Sequence, residues 1–270
     1  MAPHATTRVF ALIGDPVAHS RSPAMHNAAF AARAVDAVYV ALRSGEDDAP
    51  HLVRALARAG GGGNVTVPHK QAVLSALDTR SDAVRRTGAC NTFWGEQGRV
   101  VGDNTDIAGV RSAVQQLIGD PAGARVLLLG AGGAARAAAA ALLDDGVERI
   151  DVLNRTQAAA TRLVALLADP RLRATRQTEA ADLLVNATPL GLHADDALPV
   201  EQEALPDFKA VLDLVYRTPT TPLVRAALAA GIPAIDGTHM LLAQGAASFR
   251  LWTGLEPPLD AMRAALRPGT

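Results

Sequence analysis

The sequence predicts an α/β protein of two domains, and three observations carry that prediction. Short apolar runs bounded by Gly, Pro and Asp alternate with segments of helical spacing along almost the whole chain, the pattern of mostly parallel strands joined by helical crossovers. Residues 126–129, four branched apolar side chains, run straight into Gly130-Ala131-Gly132-Gly133 and an alanine-rich helix. Two helical segments then close the chain after the last strand. A length of 270 residues and a mass of 27.9 kDa fit one or two domains, and 49% hydrophobic residues suffice for sizeable cores.

In order, residues 8–13 read as a buried strand stopped by Gly14-Asp15-Pro16. Ser22 reads as an N-cap with Pro23 at the first helical position, opening a helix over 23–33. Residues 35–42 alternate loosely as a strand, and 51–59 form a helix stopped by glycine. Gly60–Gly63 feeds a strand over 64–67 that ends at Pro68. Helices over 70–77 and 82–87 precede a hairpin of 89–94 with 99–101. Asp106 opens a helix towards Leu117, and the domain change is expected there: residues 1–105 form the first domain and 106–237 the second. In the second, strands over 126–129, 149–153, 182–185 and 210–214 alternate with helices to about 143, over 158–167 and over 221–230. Helices over 239–252 and 258–266 form the tail.

Composition excludes several classes. There are 26 basic and 27 acidic residues, a net charge of −1, and this gives no basic surface for nucleic acid and no polybasic membrane signal. One cysteine, Cys90, excludes an internal disulfide framework and a multi-cysteine metal site, and a reducing cytoplasm is the expected compartment. Cys90 itself reads as a small buried hydrophobe. The N-terminus lacks an apolar signal core, no transmembrane span is proposed, and the seven histidines show no ligand spacing, so no metal is expected.

Strand, G-x-G-G-x-x-R, helix, strand is the pattern of a Rossmann-type dinucleotide-binding unit. Gly130 permits the tight turn, and Gly132 lets the backbone approach a pyrophosphate. Gly133 and Ala134 start the helix, and Ala135 occupies the third small position. At the end of the next strand an NAD site places an acid; here stand Asn154-Arg155-Thr156. Arginine can pair with a 2′-phosphate that a carboxylate would repel, so NADP is favoured over NAD. In the first domain Ser20, Ser22, Asn64, Thr66, Lys70, Asn91 and Asp106 fall near strand ends and helix starts. There they suit a small hydroxylated acid. A lysine ammonium can protonate the alkoxide that hydride delivery to a ketone leaves, with a carboxylate to hold it. Read singly, Lys70 is equally a solvated helix-start residue and Asp106 a helix cap.

These segments resemble the shikimate dehydrogenase family. The resemblance runs through Gly14-Asp15-Pro16-Val17-Ala18-His19-Ser20-Arg21-Ser22-Pro23, Asn64-Val65-Thr66-Val67-Pro68-His69-Lys70, Gly88-Ala89-Cys90-Asn91-Thr92 and Gly102-Asp103-Asn104-Thr105-Asp106. It continues through Gly130–Ala134, Asn154-Arg155-Thr156, Asn186-Ala187-Thr188, Asp213-Leu214-Val215-Tyr216, Gly237, Met240-Leu241 and Gln244-Gly245-Ala246. The resemblance implies NADPH-dependent reduction of 3-dehydroshikimate to shikimate, a step in aromatic amino-acid biosynthesis. It implies that Ser20 and Ser22 meet the substrate carboxylate, that Asn64, Thr66, Asn91 and Gln244 meet ring oxygens, and that Tyr216 is a further substrate contact. Lys70 and Asp106 are then the catalytic pair. Gly237 and Met240 lie by the nicotinamide, and Thr188 belongs to the cofactor side. The C-terminal helices are expected to return to the first domain, so that 238–270 completes it.

One departure bears on the cofactor. Many members carry a second arginine where this chain has Ala159, which softens the preference for NADP, and Arg162 on the same helix is a candidate substitute. A sister enzyme acting on quinate, with relaxed NAD or NADP use, stays open, as does a non-catalytic nucleotide-binding protein. The expected partner is a small molecule, with neither nucleic acid nor membrane, and the chain is a monomer or homodimer.

Overall fold

A computed structural model describes residues 3–193 and 195–267; the outermost ends of the expected first domain lie outside these. The chain forms two compact units, Met1–Thr105 with Leu241–Thr270, and Asp106–Met240. Among the described residues no helix is long and apolar enough to cross a membrane.

The first unit holds β1 (Arg8–Gly14), α1 (Ser22–Ala32), β2 (Ala37–Arg43), α2 (Ala49–Arg58), β3 (Gly62–Val65), β4 (Thr79–Arg80), α3 (Asp82–Thr87), β5 (Thr92–Glu96) and β6 (Arg99–Asp103). Its six strands are ordered β2-β1-β3-β5-β6-β4. The pairs β1·β2, β1·β3 and β4·β6 are parallel, while the β5–β6 hairpin runs antiparallel and joins β3 antiparallel. One face is covered by α2, with Val53, Ala57, Val65, Val73, Phe93 and Val100 in its core. The other holds an aromatic cluster of Phe10, His26, Phe30, Tyr39, Phe249 and Trp252. Phe249 and Trp252 come from α8 (Thr238–Thr253). α9 (Leu259–Ala265) packs against α1, and the Arg21 guanidinium donates to the Arg267 carbonyl at 2.7 Å.

Three local expectations change. Ser22 is not the cap of α1 but its first residue; Arg21 is the N-cap and no side chain caps the helix, Pro23 having removed one orphan donor itself. The expected helix over 70–77 is a single 3-10 segment, Ala72–Ala76, which leaves Lys70 in the turn before it. The Gly62–Val65 strand begins two residues earlier than expected, because backbone contacts override the weak strand preference of glycine. A Cβ on Gly63 would stand 1.9 Å from the Ala11 carbonyl oxygen, so the β1·β3 approach requires its absence. By contrast α3 ends as its sequence dictates, with the Ser81 hydroxyl accepting from the Val84 N–H and Gly88 left-handed at the C-cap.

The second unit holds α4 (Asp106–Ile118), β7 (Arg125–Leu129), α5 (Gly133–Asp144), β8 (Arg149–Leu153), α6 (Gln157–Leu167), β9 (Leu172–Thr175), β10 (Ala181–Asn186), β11 (Phe208–Asp213), α7 (Pro222–Ala229) and β12 (Ala234–Ile235). All its strand pairs are parallel, in the order β12-β11-β10-β7-β8-β9. This is the doubly wound arrangement, reversing at β7/β10. Sequence reading missed β4, β9 and β12, each of two to four residues. Such short edge strands carry too few side chains for a periodic signal. Val126 and Leu128 point into one core with the alanine face of α5, and Leu127 and Leu129 into the other with Val211 and Leu223.

His26 is the most exacting buried group of the first unit. It is fully buried between Tyr39, stacked at a 4.6 Å centroid distance, and Trp252 at 4.9 Å, and neither ring nitrogen has a hydrogen-bond partner among the described residues. Burial lowers its pKa from 6.5 to about 3. The unfolded chain therefore takes up a proton that the folded one refuses. Stability from this group is present above pH 6.5 and is lost as pH falls, by about 2 kcal/mol at pH 5. His26→Leu should reduce the drop in urea midpoint between about pH 7.5 and pH 5; a drop equal to that of the wild type would show that His26 is not its source.

Candidate active site

Gly14 sets the first part of the site. A Cβ there would lie 2.3 Å from Thr66 Cγ2. Its absence lets the Asp15 N–H donate to the Val67 carbonyl at 3.0 Å and the Thr66 N–H to the Ile13 carbonyl at 2.9 Å. The turn that follows is fixed at three points. His69, 2% exposed, bonds through Nε2 to the Ser44 carbonyl at 2.7 Å. A carbonyl only accepts, so Nε2 carries the proton. The His69 carbonyl accepts from the Val73 N–H, and the Lys70 carbonyl from the Cys90 N–H at 2.8 Å. Lys70 is thus half-buried on a short, pinned turn. Burial pushes the neighbouring Cys90 thiol up to about 12, which keeps it protonated and inert.

Beside that turn lies a buried amide network. The Tyr39 hydroxyl donates to Asn64 Oδ1 at 2.8 Å, and Asn64 Nδ2 donates to the Asn91 carbonyl at 3.1 Å and Ser248 Oγ at 3.0 Å. Asn91 Nδ2 donates to Gln244 Oε1 at 3.3 Å, and Asn91 Oδ1 accepts from the Thr105 N–H at 2.7 Å. Gln244 Nε2 donates to the Leu241 carbonyl at 3.0 Å. Of the residues singled out in sequence, Asn64, Asn91 and Gln244 are therefore joined directly. Ser20, Ser22 and Thr66 stay outside this network among the described residues; the Ser22 N–H donates to Ser20 Oγ at 3.2 Å. Tyr39, Thr105 and Ser248, which sequence reasoning did not assign, complete the network. Tyr39 and Ser248 carried no signal, because each reads as an ordinary core or helix residue.

The second unit carries the glycine turn. Gly130 has φ +105, and a Cβ on it would press the Ala187 carbonyl at 2.9 Å. Its N–H donates to the Leu153 carbonyl at 2.8 Å, tying β7 to the end of β8. Ala131, Gly132, Gly133 and Ala134 lead into α5, whose N-terminus has no side-chain cap. A Cβ on Gly132 would meet nothing within 4 Å. The open space and uncapped N–H groups fit an anionic diphosphate. At the end of β8, Asn154 Nδ2 donates to the Thr156 carbonyl at 3.0 Å, while Arg155 is exposed and forms no ion pair among the described residues. Partial burial, and to a lesser extent the Arg162 charge, hold the Arg136 guanidinium below its ordinary value. Asp106, 4% exposed, is the first residue of α4 and belongs to this unit, whereas Lys70 belongs to the first. No group of three His, Cys, Asp or Glu among the described residues could hold a metal ion.

At the ends of β10 and β11 the loops are cross-tied. Asn186 Oδ1 accepts from the Thr188 N–H at 3.0 Å and hydroxyl at 2.7 Å, and its Nδ2 donates to Asp213 Oδ1 at 2.8 Å. Asp213 Oδ1 also accepts from the Val215 N–H at 3.1 Å, one residue before Tyr216. The Gly237 N–H donates to the Val215 carbonyl at 2.9 Å, and a Cβ on Gly237 would collide with the Leu214 carbonyl at 2.3 Å. Met240 is buried in the core of this unit. Asp213 is fully buried, and burial raises its pKa from 3.8 to about 6, helped by Asp236 and opposed by Thr221, Val215 and Asn186. The folded state then binds a proton more readily than the unfolded chain. Stability from this group is highest below pH 3.8 and falls as pH rises through 6, by about 3 kcal/mol in all. Sequence reasoning included Asp213 in the Asp213-Leu214-Val215-Tyr216 segment but gave it no role, although a carboxylate directly after the apolar run Ala210-Val211-Leu212 is itself a signal.

Known proteins resemble this chain over almost its whole length. The family described as Shikimate dehydrogenase substrate binding domain matches residues 12–93, Shikimate / quinate 5-dehydrogenase matches 112–189, and Shikimate 5'-dehydrogenase C-terminal domain matches 237–267. A Shikimate dehydrogenase (NADP(+)) of Halobacterium salinarum is 45% identical over 263 residues, covering 96% of this chain and 98% of the relative. The crystal structure of shikimate 5-dehydrogenase from Thermus thermophilus with NADP(H) and shikimate has a TM-score of 0.86 at 41% identity, covering 96% of this chain and 98% of that one. Quinate dehydrogenase from Corynebacterium glutamicum in complex with NAD also reaches 0.86, at 32% identity, covering 96% and 98%. With two α/β units, a glycine turn for a dinucleotide and a buried amide network beside a pinned lysine, this chain belongs to the shikimate dehydrogenase family of oxidoreductases.

Proposed function

We propose that the protein catalyses the reversible NADP-dependent reduction of 3-dehydroshikimate to shikimate. The observation that carries this reading is the Asn64–Asn91–Gln244 network, backed onto the Lys70 turn through the Cys90 N–H. Rigid amides beside a lysine suit a ring with several hydroxyls and one carbonyl to be reduced. Ser20 and Ser22 donate to the substrate carboxylate, Thr66 and Tyr216 complete its surroundings, and Lys70 with Asp106 forms the acid–base pair. Bound NADPH supplies the hydride to the carbonyl carbon. The Lys70 ammonium gives its proton to the alkoxide oxygen as charge develops there; in the reverse direction the neutral amine takes the alcohol proton. Asp106 balances the ammonium charge between turnovers.

On the cofactor side, Gly130 to Ala134 receive the diphosphate, and Gly237, Met240 and Thr188 line the nicotinamide end. Asn154, Arg155 and Thr156 take the 2′-phosphate: the exposed, uncommitted Arg155 is the charge an NADP phosphate needs. Arg162, close to Arg136, supplies cationic surroundings that Ala159 does not. A second reading, quinate oxidation with NAD, is favoured by that same Ala159 and by the likeness to the Corynebacterium glutamicum quinate dehydrogenase in complex with NAD. The single buried cysteine suits a reducing cytoplasm as the site of the reaction.

Initial rates with shikimate or quinate, each with NADP or NAD, decide between the two readings. The proposed one requires the highest kcat/KM for shikimate with NADP; a preference for quinate with NAD would replace it by the second. Lys70→Ala should lower kcat by about 10²- to 10⁴-fold with little change in the Kd of NADPH; unchanged turnover would remove Lys70 from the reaction. Arg155→Ala should raise the KM of NADP by at least about tenfold and leave that of NAD within about twofold. Equal losses would show that Arg155 does not read the phosphate.

A further inference from the structure

We propose that Asp213 is a positioning residue for the dinucleotide site, its buried negative charge locking together the three loops that form the nicotinamide end. This rests on the dinucleotide reading above. The residue touches neither ring nor phosphate in this assignment; it acts through others. Its Oδ1 takes two donors at once, Asn186 Nδ2 from the end of β10 and the Val215 N–H beyond the end of β11. Asn186 cannot turn over, because its own Oδ1 holds the Thr188 N–H and hydroxyl while Nδ2 also donates to the Leu190 carbonyl at 3.1 Å. Thr188 Oγ1 in turn accepts from the Leu190 N–H at 3.2 Å. Through Val215, whose carbonyl accepts from Gly237, the tie extends to the loop before α8. One carboxylate oxygen thereby sets Thr188, the chain leading to Tyr216, and Gly237.

The charge, rather than the shape, of this side chain needs explaining. Oδ2 is buried with no hydrogen-bond partner among the described residues, although the Thr221 hydroxyl is near enough to ease its burial. No cation pairs with Asp213 among the described residues, and the facing titratable group, Asp236, is itself acidic. An asparagine could offer Oδ1 to the same two donors and turn an N–H towards Thr221, without a buried charge. What the carboxylate adds is charge-assisted bonding, roughly twice as strong as the neutral kind, to both loops. A residue that makes the fold less stable while making one set of loops more rigid marks a site under functional constraint.

The test is Asp213→Asn, read by thermal denaturation and by NADPH fluorescence titration. The expected variant is more stable than the wild type at about pH 8 and equal to it near pH 4. It binds NADPH about tenfold more weakly, with the KM of shikimate within about twofold. A structural role alone would move stability and binding down together, and that result overturns the proposal. Raised stability with unchanged NADPH affinity overturns it as well, by showing that the charge is not used. Wild-type protein that binds neither NADPH nor NADH overturns the dinucleotide reading and this inference with it; wild-type binding beside an unaffected variant overturns this inference alone.

Discussion

A sheet covered on both faces leaves little room inside it for polar groups, and in each unit the polar side chains of the candidate site stand near the ends of strands. Along β7, side chains alternate between two apolar cores, so a polar group inside the sheet would lose its hydration with nothing in return. Polar residues therefore collect where the strands stop: Asn64 near the end of β3, Asn154 just past β8, Asn186 at the end of β10 and Asp213 at the end of β11. Each is met there by backbone N–H or carbonyl groups that the strand has released.

The first unit shows how such a cluster is made rigid. Asn64 has both amide hydrogens and its oxygen engaged, and the Tyr39 hydroxyl that holds the oxygen is stacked on His26 in the aromatic core. The polar network and the apolar core are thus one structure. Tyr39 gives its ring to the core and its hydroxyl to the site. His26 is the weak point of the arrangement, a neutral imidazole held without hydrogen bonds by the packing around it. Lys70 needs no helix to be placed. A histidine side chain and two backbone hydrogen bonds hold its turn.

The second unit solves the same problem with charge. Asp213 ends a strand whose buried residues are otherwise apolar, and it converts that strand end into a junction of three loops. Its elevated pKa and the depressed pKa of His26 pull stability in opposite directions over an overlapping range of pH, each from its own unit. The two contributions partly offset each other, so a substitution at either position exposes the other more cleanly than the wild-type curve does.

The two α/β units, the glycine turn, the longer helices and the Asn64, Asn91 and Gln244 members of the amide network were legible in the sequence, because these rest on local signals or on the motifs that carry the resemblance. Such signals include a run of apolar side chains, Pro23 at the start of a helix, and Gly130 before another. The sequence also carried the family resemblance, which the comparisons established. Tertiary structure alone decided the rest. That Ser22 is helical and not a cap, that Lys70 precedes a 3-10 turn, and that glycines 62 and 63 form a central strand all depend on contacts with residues far along the chain. The joining of Asn64 to Tyr39 and Ser248, and of Asp213 to Asn186, spans between 25 and 184 positions. No local propensity encodes a partner at that distance. Burial creates the need for a partner, and only the folded chain shows which residue meets it.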